Sequence, residues 1–252
     1  MLTANTGKEN TIRRFGMPRI LEHWLAVVTF ALLVTTGLSQ KYYTLDISYW
    51  LILNAGGIDM IRLIHRYTGI VFMLAILSHV IIAVIGVAMN RWQTSMVINK
   101  NDFTNAAHDM KYYIGLENSP AECGRYSYKQ KFEYWGILIG AFLMIATGII
   151  LWFPTIITRL MPGESIPVAK ALHSNEALVI VLLIAVWHIY NSIVSPDVFP
   201  LDTSIFTGYI SRERMAHEHP VELAGIEEME ADENGMHGNK ETQDLKAEGN
   251  FL

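Results

Sequence analysis

Four long apolar stretches divide this chain, at residues 20–39, 61–89, 132–153 and 168–195, with polar segments between and beyond them. Each holds about 20 residues or more, the length an α-helix needs to cross roughly 30 Å of hydrocarbon at about 1.5 Å per residue. A soluble domain would spread its apolar positions over shorter periodic elements. The pattern predicts an all-α membrane protein built as a four-transmembrane-helix bundle. A further semi-apolar piece at 47–58 is interrupted by Asn54, Gly56 and Gly57; at about twelve residues it is too short to cross and is expected at the surface. Pro154 and Pro196 end the third and fourth spans. The polar flanks set three parts: an amino-terminal segment 1–19, a membrane domain 20–196 and a tail 197–252. The Gly- and Glu-rich composition of the tail predicts disorder beyond Leu223. Residues 90–131 are expected to form a polar loop.

Charge gives this bundle an orientation. Four Lys/Arg precede the first span (Lys8, Arg13, Arg14, Arg19), and six occupy the loop between the second and third (Arg91, Lys100, Lys111, Arg125, Lys129, Lys131). The opposite side has Lys41, Arg62, Arg159 and Lys170. The positive-inside rule then places both termini in the cytoplasm, with Arg212 and Arg214 in agreement. Most tryptophans fall near span ends, as an aromatic belt requires. The formal net charge of −5 owes much to tail acids from Glu222 to Glu233, and no basic surface suggests nucleic acid. Arg13, Arg14 and Phe15 resemble a twin-arginine signal fragment, but no small-residue cleavage site follows, so they are read as a basic cytoplasmic flank. The single cysteine, Cys123, leaves no internal disulfide, CxxCH attachment or cysteine-ligated cluster within this chain, and is read as a bystander in a loop.

The candidate chemistry lies in histidines where a spanning chain should have almost none. His65 and His79 are 14 residues apart in the second span, and His173 and His188 are 15 apart in the fourth. Four α-helical turns take about 14.4 residues, so each pair shares a helix face with about 21–22 Å between its members. His23 opens the first span. An outer layer thus holds His65 and His173, while an inner layer holds His188 with either His23 or His79. Facing imidazoles at two depths suit two stacked haems. A haem-free metal site would need carboxylate or cysteine partners clustered in one layer, and only Glu176 is read as lying in a span; a proton relay would need only spaced imidazoles. Gly69, four residues after His65, and Gly37, Gly140 and Gly148 leave surfaces open to a bulky planar guest. Gly136 and Gly140 also form a GxxxG step that serves helix packing equally well. Arg62 and Arg66 flank His65 as partners for haem propionates or as interfacial anchors. His108, His217, His219 and His237 are expected to be solvated.

The segments LEHW around His23, IRLIHRYTGI around His65, KALHSNEAL around His173 and WHIYNSI around His188 resemble the ligand segments of the formate dehydrogenase gamma subunit family. RYSYKQKFEYWG, TGIILWFP and TGYISRERMAHEHP extend the likeness over roughly residues 12–220. That family is a four-helix cytochrome b with two haem b groups. The resemblance implies His65 and His173 as ligands of the outer haem iron, and His23 and His188 as ligands of the inner one. His79, present in hydrogenase-type b cytochromes, is the alternative inner ligand. It also implies a quinone, menaquinone or ubiquinone, bound beside the inner haem. Tyr126, Ser127, Gln130 and His188 are the candidate lining, with Ser127 and Lys129 standing where the family has asparagine and glycine.

The expected function is a membrane-anchor cytochrome b subunit of the bacterial or archaeal cytoplasmic (inner) membrane. It would carry electrons between the quinone pool and an outward-facing iron–sulfur or multihaem cytochrome c partner in a complex with a catalytic subunit. A nickel–iron hydrogenase or thiosulfate/polysulfide reductase could use the same kind of anchor. A haem-free membrane anchor and a histidine-based proton transporter are the rivals from other classes.

Overall fold

The computed structural model describes residues 10–195, 198–199 and 201–232. Lys8, Pro196, Glu233 and His237, used above, lie outside the described residues. In chain order the elements are β1 (Thr11–Arg13), α1 (Met17–Lys41), α2 (Asp46–Asn54), α3 (Ile58–Ala88), α4 (Lys100–Tyr113), α5 (Tyr128–Trp152) and a short α6 (Pro154–Ile157). They continue with α7 (Ser165–Leu182), two π-helical stretches (Leu183–His188 and Tyr190–Val194), α8 (Ser204–Thr207), β2 (Tyr209–Ser211) and α9 (Arg212–Glu218). A last helix, α10, occupies 220–232.

Four helices are long and apolar enough to cross a membrane: α1, α3, α5, and α7 with its π-helical continuation to Val194. The chain is a multi-pass membrane protein. The helices extend slightly beyond most of the apolar runs, because polar end residues keep helical hydrogen bonds where water and headgroups solvate them. α3 has 31 residues, about 46 Å at about 1.5 Å per residue, against roughly 30 Å of hydrocarbon. α2 has nine residues and cannot cross.

The chain forms two compact units. One comprises Arg13–Thr94 and Phe132–Tyr209, and so holds most of the apolar helices. Within it α1 packs along α3 and meets α2, α7 and α8. Gly208, at φ +84, turns the chain after α8; its carbonyl accepts from the backbone N–H of Arg14 and Phe15. A Cβ there would approach the Phe15 carbonyl oxygen to 2.6 Å, so no side chain fits.

The other unit comprises residues up to Ile12, Ser95–Lys131 and the chain from Ile210. Here the expectation of a plain polar loop is corrected. α4 is a 14-residue helix, opened by a reciprocal capping box between Asn99 and Asp102. Asp102 and Asp109, both buried, face inward. Lys131 bonds both oxygens of Asp102, at 2.8 and 3.0 Å, while the Tyr128 hydroxyl and the Ala121 N–H donate to Asp109. Among the described tail residues α10 carries helix to Asp232, past Leu223. Ile210, Met215 and Leu223 bury a small core beneath it.

Candidate haem-binding site

Two imidazole pairs meet inside the helical unit. The His65 and His173 rings, from α3 and α7, have centroids 6.2 Å apart; so do those of His23, from α1, and His188, at the end of the first π-helical stretch. Two metal–nitrogen bonds of about 2 Å, plus about 1 Å from each nitrogen to its ring centre, give ~6 Å. The 6.2 Å separations thus match the spacing of two imidazoles on one metal ion.

The π-helical stretches bear on the second pair. The Ile189 N–H reaches back five residues to Ile184, and that of Ser195 to Tyr190. Each such closure spends one residue more per turn than an α-helix. The 15-residue interval from His173 to His188 thus covers nearly the same rotation as the 14-residue α-helical interval in α3, and His188 stays on the inward face.

The neighbours of these rings fix their tautomers. Thr36 Oγ1 donates to the Leu32 carbonyl at 2.6 Å, so its oxygen accepts from His65 Nδ1–H at 2.8 Å. Thr147 repeats this, donating to Leu143 at 2.7 Å and accepting from His173 Nδ1–H at 2.9 Å. His188 Nδ1–H is held by the Glu133 carboxylate at 2.5 Å. A neutral ring whose Nδ1–H is so engaged keeps its lone pair on Nε2, the form a metal-ligating imidazole needs. The fourth ring, His23, has a buried Nδ1 without a hydrogen-bond partner among the described residues. Buried polar atoms are rarely left so.

Gly37 and Gly148 follow Thr36 and Thr147 directly. A Cβ on them would meet Cε1 of His65 at 3.2 Å and of His173 at 3.3 Å. They make room for the imidazoles, where the sequence reading has them opening a surface to the guest itself. A Cβ on Gly69 meets nothing within 4 Å, which suits the expected open face. Cβ atoms at Gly136 and Gly140 would instead meet Leu183 and Ile180 of the fourth span, the packing alternative.

His79 stands apart from both pairs. Its Nε2 is 3.0 Å from the Tyr134 hydroxyl, and its Nδ1 is 3.0 Å from Arg19 and 3.2 Å from Glu22. Side chains thus engage both of its nitrogens. Arg19 also pairs with Glu22 at 2.7 Å and stacks over Trp92 at 4.5 Å. That web joins α1, α3 and α5.

The remaining candidates are placed as follows. Arg62 pairs with Asp59 at 3.3 Å and Arg66 lies 5.7 Å over Trp152, both consistent with interfacial anchoring. Ser127 and Gln130 cap α5 reciprocally: Gln130 N–H donates to Ser127 Oγ at 3.3 Å and Ser127 N–H to Gln130 Oε1 at 3.0 Å. The Ser127 proton and the Gln130 amide N–H groups are not used in that box. Tyr126 lies beside Arg125, and Lys129 bonds Tyr113 at 2.6 Å.

His219 is a correction, for it is buried and not solvated: its Nδ1 bonds the Gly124 carbonyl at 2.8 Å. Cys123 Sγ donates to the Glu218 carbonyl, and Arg125 pairs with Glu222. The HEHP string thus latches residues 123–125. Sequence reasoning missed Thr36, Thr147 and Glu133, and credited only Glu176 as a carboxylate within a span. Carboxylates in apolar runs are rare enough that Glu22 and Glu133 were findable by that signal.

Comparisons with known proteins identify the family. The chain is 26% identical over 216 residues to the formate dehydrogenase cytochrome b556(fdo) subunit of Escherichia coli K12, covering 84% of this chain and 92% of that one. The nitrate-inducible cytochrome b556(Fdn) subunit of the same strain is 25% identical over 219 residues, covering 86% and 92%. The formate dehydrogenase cytochrome b556 subunit of Haemophilus influenzae is 28% identical over 190 residues, covering 75% and 74%. The family model of prokaryotic cytochrome b561 matches residues 14–199, and the chain belongs to that family of haem-binding membrane cytochromes.

Proposed function

We propose that this chain holds two haem b groups, the outer one between His65 and His173 and the inner one between His23 and His188, and carries electrons between a partner outside and a quinone. The observation that carries the reading is the repeated 6.2 Å separation of two imidazole pairs within one unit. The haem supplies one-electron redox chemistry; the protein supplies axial nitrogens, tautomers and a low-dielectric surround.

The relatives are named as cytochrome subunits of formate dehydrogenases. By that likeness the partners are iron–sulfur and catalytic subunits of a formate dehydrogenase-like complex. A nickel–iron hydrogenase, a thiosulfate/polysulfide reductase or a multihaem cytochrome c is the second reading. Menaquinone or ubiquinone is the membrane substrate, with Tyr126, Ser127, Gln130 and His188 proposed as contacts. The hydroxyl proton of Ser127 and the amide N–H groups of Gln130 are the donors that remain after capping. Arg62 and Arg66 are proposed beside the outer haem's propionates. Both termini are assigned to the cytoplasm of an inner membrane.

The test is haem content and spectrum. Purified protein should contain two protohaems per chain and a reduced-minus-oxidised b-type band. His173→Ala should remove one haem and leave the other. Retention of both would end the outer-pair assignment, and absence of any b band would favour a haem-free anchor.

A further inference from the structure

The two histidine pairs differ in what stands behind them. The outer pair has a hydroxyl on each side, Thr36 and Thr147, and each hydroxyl proton is committed to a backbone carbonyl. The inner pair has a carboxylate on one side only. Glu133 lies in α5 with its side chain 11% exposed, and its carboxylate accepts from His188 Nδ1–H. On the other side His23 Nδ1 is buried and has no hydrogen-bond partner among the described residues.

We propose that Glu133 is a positioning residue for the inner haem: it fixes His188 with Nε2 toward the iron and holds the inner haem's midpoint potential below the value a neutral partner would give. The inference rests on the assignment of His188 as a haem ligand. Its physical basis is the charge on the acceptor. A carboxylate draws the Nδ1 proton and leaves more electron density on the imidazole than a threonine hydroxyl can. A more electron-rich ligand stabilises the ferric state, which carries one more positive charge than the ferrous state. The effect is enlarged where water is scarce, because low dielectric weakens screening. A hydrogen bond to an ionised acceptor is roughly twice as strong as one between neutral groups. The outer haem, backed by two hydroxyls, should lack this pull. The carboxylate is costly within a span unless it has such a role.

The experiment is a redox titration of the detergent-solubilised full-length protein, wild type against Glu133→Gln, followed by optical and electron paramagnetic resonance spectra of the low-spin ferric haems. Glutamine keeps an acceptor oxygen and removes the charge. One of the two midpoints should rise by about tenfold in the ferric–ferrous equilibrium, which is about 59 mV for a one-electron couple. The resonance of that haem should shift, and the other haem should not change. His188→Ala and His65→Ala, each removing a different haem, identify which midpoint is inner.

A Glu133→Gln protein with two haems and neither midpoint moved, or with only the outer one moved, overturns the proposal. Where Glu133→Gln loses the inner haem, Glu133→Asp decides. Retention of that haem near the wild-type potential supports a carboxylate role, and its loss there too overturns it. Failure of His188→Ala to remove any haem would instead break the ligand assignment beneath the proposal, an outcome the Glu133 variants do not produce.

Discussion

Thr36 and Thr147 have the same task in different helices. A threonine in a helix usually returns its proton to a carbonyl one turn back, and both do so here. Once that proton is committed, the oxygen can only accept, so the facing histidine must be protonated at Nδ1. Thr36→Val and Thr147→Val keep shape and remove that acceptor. Each should weaken retention of the outer haem by 10- to 100-fold, the range typical for loss of a group that orients a metal ligand. Haem loss to a scavenging apoprotein measures this, and the inner haem serves as the control. The histidines were legible because ionisable groups in apolar runs stand out. The threonines were not, because back-bonding threonines are common in apolar helices and only the three-dimensional pairing with histidine separates these two. Gly37 and Gly148 were noticed for space, but the occupant of that space is a ring of the protein itself. The choice between His23 and His79 was beyond spacing alone. The Tyr134, Arg19 and Glu22 contacts that engage His79 support the proposal of His23, and they come from α1 and α5.

At the scale of elements, the four spans were legible and α4 was not. Its inward face is Asp102 and Asp109, while Phe103, Met110 and Tyr113 are exposed. This inverts the pattern by which an amphipathic helix is recognised. The acids are tolerated inside because they are paired. Lys131 and Asp102 have side chains 8% and 6% exposed, and Asp102 also accepts from the Asn99 N–H at 2.7 Å. Lys131→Met should therefore strand a buried carboxylate and cost about 3–5 kcal/mol, whereas adding Asp102→Asn should recover much of the loss by removing the unpaired charge. Thermal unfolding of the solubilised protein compares the two. A single variant no less stable than the double would show that this pair is not buried in solution. α10 was missed for a related reason. Glu227 and Glu230 read as acidic tail, but both pair with Arg212, while Leu223 joins the small core.

For the whole molecule, the number of spans constrains the sidedness of every connector. Four crossings return the chain to its starting face. If all four helices cross, residues 42–57 and 153–164 share one side, and the chain between α3 and α5 lies on the side where α1 begins. Parity alone does not say which side is cytoplasmic; the excess of Lys and Arg in the amino-terminal segment and in the loop 90–131 is the ground on which the cytoplasmic side is proposed. Reporter positions exist on both sides. Leu160 is 78% exposed and Leu116 is 71% exposed, so a cysteine at either should react with a thiol reagent that reaches it. Cys123 is the chain's own cysteine, and Cys123→Ser gives a silent background while keeping a donor for the Glu218 carbonyl. In intact cells, Leu160→Cys should label with an impermeant maleimide, and Leu116→Cys only after the membrane is breached. Labelling of Leu116→Cys from outside would invert the bundle. The pair His65–His173 would then face the cytoplasm, and the electron path proposed between the outside partner and the quinone would have to be redrawn from the other end.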